Sequence, residues 1–135
     1  MSHEIQQREH EGIVILDFKG RITVGAEASA LREKVAAVTA AGSKNIILNL
    51  AHVDYIDSTG LGALVMCATS QRKAGGALKL ENLNRRNIEL LVMTKLATVF
   101  DLFTDEQDAV NSFFPDRAIK AFDILSFVEQ MKKEG

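Results

Sequence analysis

Asn45-Ile46-Ile47-Leu48-Asn49-Leu50, followed two residues later by Val53-Asp54-Tyr55-Ile56-Asp57-Ser58-Thr59-Gly60-Leu61-Gly62-Ala63-Leu64, decides how this chain folds. The first run is dense in branched apolar residues, as a central strand covered on both faces requires. The second passes from polar turn formers into a helical pattern. From Leu61 to Ala74 the residues Leu61, Leu64, Val65 and Ala68 share one face, and Gly75-Gly76 stops the helix. A buried strand that turns directly into a helix is the repeating unit of α/β folds.

Working outward, the same alternation continues on both sides. Gly12 to Phe18 is short, apolar and branched, and reads as a strand, with Ile5 to Arg8 as a weaker edge strand before it. Between Ala26 and Ala41 the residues Ala28, Leu31, Val35 and Val38 recur at helical spacing, with Gly42 placed to end the helix. Ala77 to Glu81 is a strand, and Asn84 caps a helix carrying Ile88, Leu91 and Val92. Val99 to Phe103 reads as a further strand. Thr104 with Gln107 has the capping-box form and opens a helix with Ala109, Val110, Phe113 and Phe114 on its inner side. Pro115 interrupts it, and Ala118 to Lys133 reads as one more helix. The expected architecture is a sheet of four to five mostly mixed strands with helices packed on it, plus an extra C-terminal helix.

Composition narrows the function classes. The chain has 135 residues, 47% of them hydrophobic and 25% charged, with a net charge of -2. That balance lacks the basic footprint of nucleic-acid binding. Cys67 is the only cysteine and cannot form an internal disulfide. His3, His10 and His52 are not at metal-ligand spacing, so no metal and no cofactor are expected. No apolar run approaches the roughly 20 residues that cross a bilayer. The N-terminal Met1-Ser2-His3-Glu4 has no signal-peptide core, so a cytoplasmic location without membrane attachment is expected.

The strand-to-helix turn carries the chemistry. Functional groups of open α/β sheets gather where strands end and helices begin. A helix N-terminus leaves backbone N–H groups unsatisfied and carries partial positive charge. Ser58 or Thr59 is therefore expected as an N-cap, and the same position suits a phosphate on the Ser58 hydroxyl. Asp57-Ser58-Thr59-Gly60 has two residues between Asp and Gly, which excludes the aspartic-protease triplet. Ser58 lacks the flanking glycines of a nucleophile elbow. Gly60-Leu61-Gly62 completes neither a dinucleotide fingerprint nor a P-loop. Ser58, Gly62, Met66, Ser70 and Lys73 form a ridge opposite the apolar face, a candidate docking surface with Met66 as an adaptable contact.

Taken together, these residues resemble a STAS domain, and most closely the stand-alone anti-sigma factor antagonists of bacterial partner switching. The resemblance spans Ile5 to Phe114. It rests on Ile46 to Leu50, then Tyr55-Ile56-Asp57-Ser58-Thr59-Gly60-Leu61-Gly62, then Gly75-Gly76. It implies a STAS domain over 1–114 with a C-terminal helical extension over 115–135. It also implies that Ser58 is phosphorylated by an anti-sigma factor that is a serine kinase, that a phosphatase reverses this, and that the protein is not an enzyme. Thr59, Gly60 and Gly62 would shape the switch loop, with Asp57, Met66 and Thr23 as partner contacts. Thr23 departs from the family pattern, which often has an acidic residue there. Ile119, Phe122, Ile124, Leu125, Phe127, Val128 and Met131 form an apolar face expected to be buried on the domain itself or in a homodimer. Two other classes remain open: a ligand or nucleotide sensor acting as a scaffold, and an enzyme whose site is unrecognised.

Overall fold

The computed structural model describes residues 3–134; Met1, Ser2 and Gly135, and with them the outermost residues of both predicted domain ranges, lie outside that description. Strands β1 (His3–His10), β2 (Ile13–Ile22), β3 (Asn45–Ile56), β4 (Ala77–Glu81) and β5 (Leu102–Phe103) form one sheet in the order β1-β2-β3-β4-β5. Helices α1 (Ala26–Ala40), α2 (Ser58–Lys73), α3 (Arg85–Met93), α4 (Glu106–Asn111) and α5 (Ile124–Glu134) connect or follow them. β1 runs antiparallel to β2, and all other neighbours are parallel, so the sheet is mixed.

Local chemistry explains the joints. Glu11 and Gly12 both have positive φ, the two-residue hairpin turn whose twist matches the strands it joins. Helices α1, α2 and α3 end alike. In α1, Gly42 N–H bonds the Thr39 carbonyl and Ser43 N–H bonds that of Val38, with Gly42 at φ 105. This pattern satisfies the last helical carbonyls and turns the chain back toward the sheet.

One face of the sheet carries the main core. Val14, Leu16, Phe18, Ile46, Leu48, Leu50 and Leu80 meet Leu31, Val35 and Val38 of α1 and Leu61, Leu64 and Ala68 of α2. The other face presents Ile13, Ile15, Ile47 and Phe103 to Ala109 and Val110 around α4, with Phe113 and Phe114 half-buried beside them. β3, inside the sheet, has both faces covered over its first half, as its sequence demands.

The structure corrects several expectations. β3 does not stop at Leu50 but runs to Ile56, so the first half of the site motif is strand. β5 is shorter than Val99–Phe103, because Val99 N–H bonds the Leu96 carbonyl in a turn. Thr104 caps nothing here; Asp105 accepts from Asp108 N–H at 3.0 Å, and Gln107 reaches Glu11 and Asn111 instead. Val65 is half-buried, while Ala63, Cys67 and Gln71 join the inner face of α2.

The last helix begins at Ile124, not Ala118. Phe122 N–H is committed to the Leu102 carbonyl at 2.9 Å, which holds that stretch against the sheet edge rather than in a helix. Asp123 then accepts from Ser126 N–H and supplies the helix start. Phe122 and Ile124 pack on the main core, and Phe127 lies against Phe122 at 5.7 Å. The guanidinium of Arg85 sits over Phe127 and pairs with Glu134, tying α5 to α3. Even so, no residue of α5 is fully buried, and Leu125 is 77% exposed. A single helix laid over the edge of a finished domain has only one side to lean on.

Candidate functional site

The site is assembled where β2 and β3 end. Asp57, not Ser58 or Thr59, is the N-cap of α2: its Oδ1 accepts from Gly60 N–H at 2.7 Å. That leaves Ser58 as the first helical residue, with its side chain free of the capping task and exposed to solvent. The other carboxyl oxygen of Asp57, Oδ2, accepts from Val24 N–H at 2.9 Å. Asp57 N–H in turn donates to the Ile22 carbonyl at 3.2 Å. One aspartate thus joins the β2–α1 loop to the start of α2. The Gly60 amide first, and then that of Val24, hold the Asp57 carboxyl below its usual range, so it stays an anion.

Gly60 is required by the same contact. A Cβ there would overlap the Ile22 carbonyl, so only glycine lets α2 approach the end of β2 this closely. Gly62, two residues on, faces open space. The two glycines of the motif therefore have different reasons: one is packing, the other a bare patch on the surface.

Around this joint the surface is accessible. Ser58, Thr59, Gly62, Met66, Ser70 and Lys73 are all exposed, and Met66 is 56% exposed. Val24, at the tip of the neighbouring loop, is 67% exposed. Thr23 is half-buried and donates its hydroxyl to Glu27 at 2.9 Å, so a carboxylate lies one turn beyond the position where Thr23 stands. The structure brings Thr23, Asp57, Ser58, Thr59 and Gly60 into one joint, with Gly62 and Met66 continuing along α2.

One groove lies along the ridge and a second lies against α3, and sequence reading named neither. A groove of about 440 Å³ runs between α1 and α2, lined by Arg32, Val35, Thr39, Met66, Cys67 and Gln71 among others. Burial pushes the Cys67 thiol up to about 11, so it stays protonated and unreactive at neutral pH. A smaller groove of about 230 Å³ involves Tyr55, Arg86, Leu90 and Met93, where Arg86 stacks over the Tyr55 ring at 5.2 Å. Both grooves need contacts between elements far apart in sequence. Only the helical spacing of Met66 hinted at either.

Chemically, the joint offers an exposed hydroxyl, a fixed carboxylate and the positive end of a helix. Among the described residues no group of three or more His, Cys, Asp or Glu side chains is arranged to hold a metal ion. No helix of the described residues is long and apolar enough to cross a membrane.

Known proteins align with this arrangement. The STAS domain profile matches residues 4–109. The anti-sigma-B factor antagonist of Bacillus subtilis is 34% identical over 110 residues, 82% of this chain and 99% of that protein. Among solved structures, an anti-sigma factor antagonist from Mycobacterium paratuberculosis superposes with a TM-score of 0.71 at 21% identity, covering 82% of this chain and 93% of the other. The Bacillus anti-sigma factor antagonist SpoIIAA, in its unphosphorylated form, gives a TM-score of 0.63 at 17% identity over 83% of this chain and 99% of its own.

Proposed function

The chain belongs to the STAS domain family, and from that premise we propose that it is a phosphorylation-switched anti-sigma factor antagonist. Unphosphorylated, it binds an anti-sigma factor that is also a serine kinase; phosphorylation of Ser58 ends the complex, and a phosphatase restores it. The protein is then a substrate and a binding partner, not a catalyst. On this reading residues 1–114 are the switching domain and 115–135 an extension to it.

The observation that carries the reading is the exposed Ser58 hydroxyl at the first position of α2, with capping assigned to Asp57. A hydroxyl that capped its own helix would be occupied and turned inward. Here it is open to a kinase. The names of the similar proteins support the same class, and SpoIIAA has been solved in a phosphorylated form as well.

The physics of the switch follows from the surroundings. A phosphate adds about -1.5 to -2 charge. The helix N-terminus tolerates that charge within the domain. A partner pressed onto Ser58, Gly62 and Met66 meets bulk, repulsion beside Asp57 and the cost of stripping water from the phosphate. Because Asp57 holds both loops by backbone hydrogen bonds, the domain has no need to refold. Thr23 takes no acidic role itself; Glu27, held by the Thr23 hydroxyl, supplies a carboxylate close to the expected place.

The test is phosphate incorporation from ATP by a partner-switching serine kinase. Wild type is labelled, Ser58→Ala is not, and Thr59→Ala remains labelled. Ser58→Asp loses binding to the unmodified partner while keeping the wild-type circular dichroism. Equal labelling of Ser58→Ala would place the modification elsewhere.

A further inference from the structure

The sheet face away from α2 holds a polar row that the switch does not use. Asp17 of β2, Asn49 of β3 and Glu81 of β4 are register partners and so point to the same face. Arg8 of β1 donates to both oxygens of Asp17, at 2.7 and 3.1 Å. The same guanidinium donates to Glu106 of α4, at 2.8 and 2.5 Å, and His10 bonds Glu106 at 2.9 Å. Asn49 donates to Asp17, and Asn82 to Asn49. Glu11 and Arg117 pair at the rim, while Lys79, two residues before Glu81, is engaged by Ser112 and Asp101.

Glu81 is left over. It is 0% exposed, and neither carboxyl oxygen finds a donor among the described residues. Arg8 is already shared by two carboxylates. An ionised carboxylate with no donor and no cation of its own is among the most costly groups a core can hold. Glu106 of α4 is held on this same face of the sheet by Arg8, and its carboxylate can accept.

We propose that Glu81 folds as a neutral carboxylic acid whose O–H donates to the Glu106 carboxylate, so that docking of α4 onto the sheet takes up one proton at neutral pH. The proton comes from solvent, sits on a Glu81 oxygen, and leaves Glu106 charged against Arg8. The shared proton is a latch between β4 and α4, on the face opposite the candidate switch. Burial, followed by the neighbouring Glu106, pushes the Glu81 carboxyl up, while the Arg8 hydrogen bonds hold Glu106 down.

These opposite directions set the sign. In the unfolded chain both carboxyls titrate in the ordinary range, near about pH 4. Below that range folding releases a proton from Glu106. Above it, folding takes one up at Glu81, and stability falls as pH rises. Between about pH 5.5 and 8.5 the ratio of folded to unfolded protein should drop about tenfold per pH unit from this group alone.

Urea unfolding of the full chain across that range tests the latch. Wild type is expected to lose stability with rising pH. Glu81→Gln, whose amide also donates to Glu106 but does not titrate, should show a slope about tenfold per unit shallower. In parallel, the Glu81 side-chain carboxyl carbon in wild type is followed by ¹³C NMR and should not titrate in the ordinary carboxylate range. The same slope in Glu81→Gln, or a Glu81 signal that titrates near about pH 4, would overturn the proposal.

Discussion

Asp57 shows how much one side chain decides. Its two oxygens serve two chain segments, and that division is what frees Ser58. Removing the carboxylate in Asp57→Ala is expected to lower stability by about 1–2 kcal/mol, the range for a lost N-cap, whereas Ser58→Ala changes it by less than about 0.5 kcal/mol. Urea midpoints of the two variants check this, and a larger loss in Ser58→Ala would return the cap to Ser58. The glycines separate in the same way. Gly60→Ala forces a Cβ into the Ile22 carbonyl and should cost roughly 3 kcal/mol or more. Gly62→Ala meets open space and should stabilise α2 by about 0.5–1 kcal/mol, while weakening partner binding measured by calorimetry. The motif was legible as a helix start. Which residue caps it was not, because Asp, Ser and Thr are all favoured caps by type and only the partner loop distinguishes them.

Among the elements, α1, α2, β4 and α3 follow their sequence signals closely, since each has a single apolar face and a clear stop. The C-terminal segment does not. Its apolar residues run at a helical period from Ile119, but Phe122 is drawn to the edge of β5 and the helix waits for Asp123. Edge strands carry unpaired backbone groups, and this segment supplies the donor that Leu102 lacks. Phe122→Ala is therefore expected to destabilise the domain by about 2 kcal/mol. Leu125→Ser, on the exposed side of α5, should alter stability by less than about 0.5 kcal/mol. Thermal denaturation of both variants distinguishes a tail that belongs to the domain from one that merely follows it; equal losses would contradict the packing described. Period alone cannot make this distinction, because a helix face and a strand edge compete for the same phenylalanine.

At the scale of the whole molecule, charge is arranged on opposite faces for different ends. One face offers Ser58 at a helix N-terminus, where a phosphate nearly doubles a net charge of -2. The other ties β1, β2 and α4 through Arg8, whose hydrogen bonds hold the Asp17 and Glu106 carboxyls down. Groups depressed in this way stabilise the fold above the ordinary carboxylate range and lose that contribution as pH falls, so stability should decline from about pH 5 down to about pH 2, where Glu106 titrates in the folded protein. Arg8 is 42% exposed at its side chain. With solvent screening, Arg8→Met should cost only about 1–2 kcal/mol at neutral pH and should flatten the acid limb of the urea midpoints; an unchanged limb would assign it to other carboxylates. By itself the sequence determined the alternation of strand and helix, the core face of α1, and the turn on which Ser58 stands. Those features rest on apolar period and on stop residues acting within one element. Only the tertiary structure decided that Asp57 is the cap, that Gly60 and Gly62 differ in kind, that Glu81 is buried without a donor, and that the tail starts as an edge cover. Each of these depends on a group some twenty or more residues away along the chain or on the space beside it, and periodicity holds no record of either.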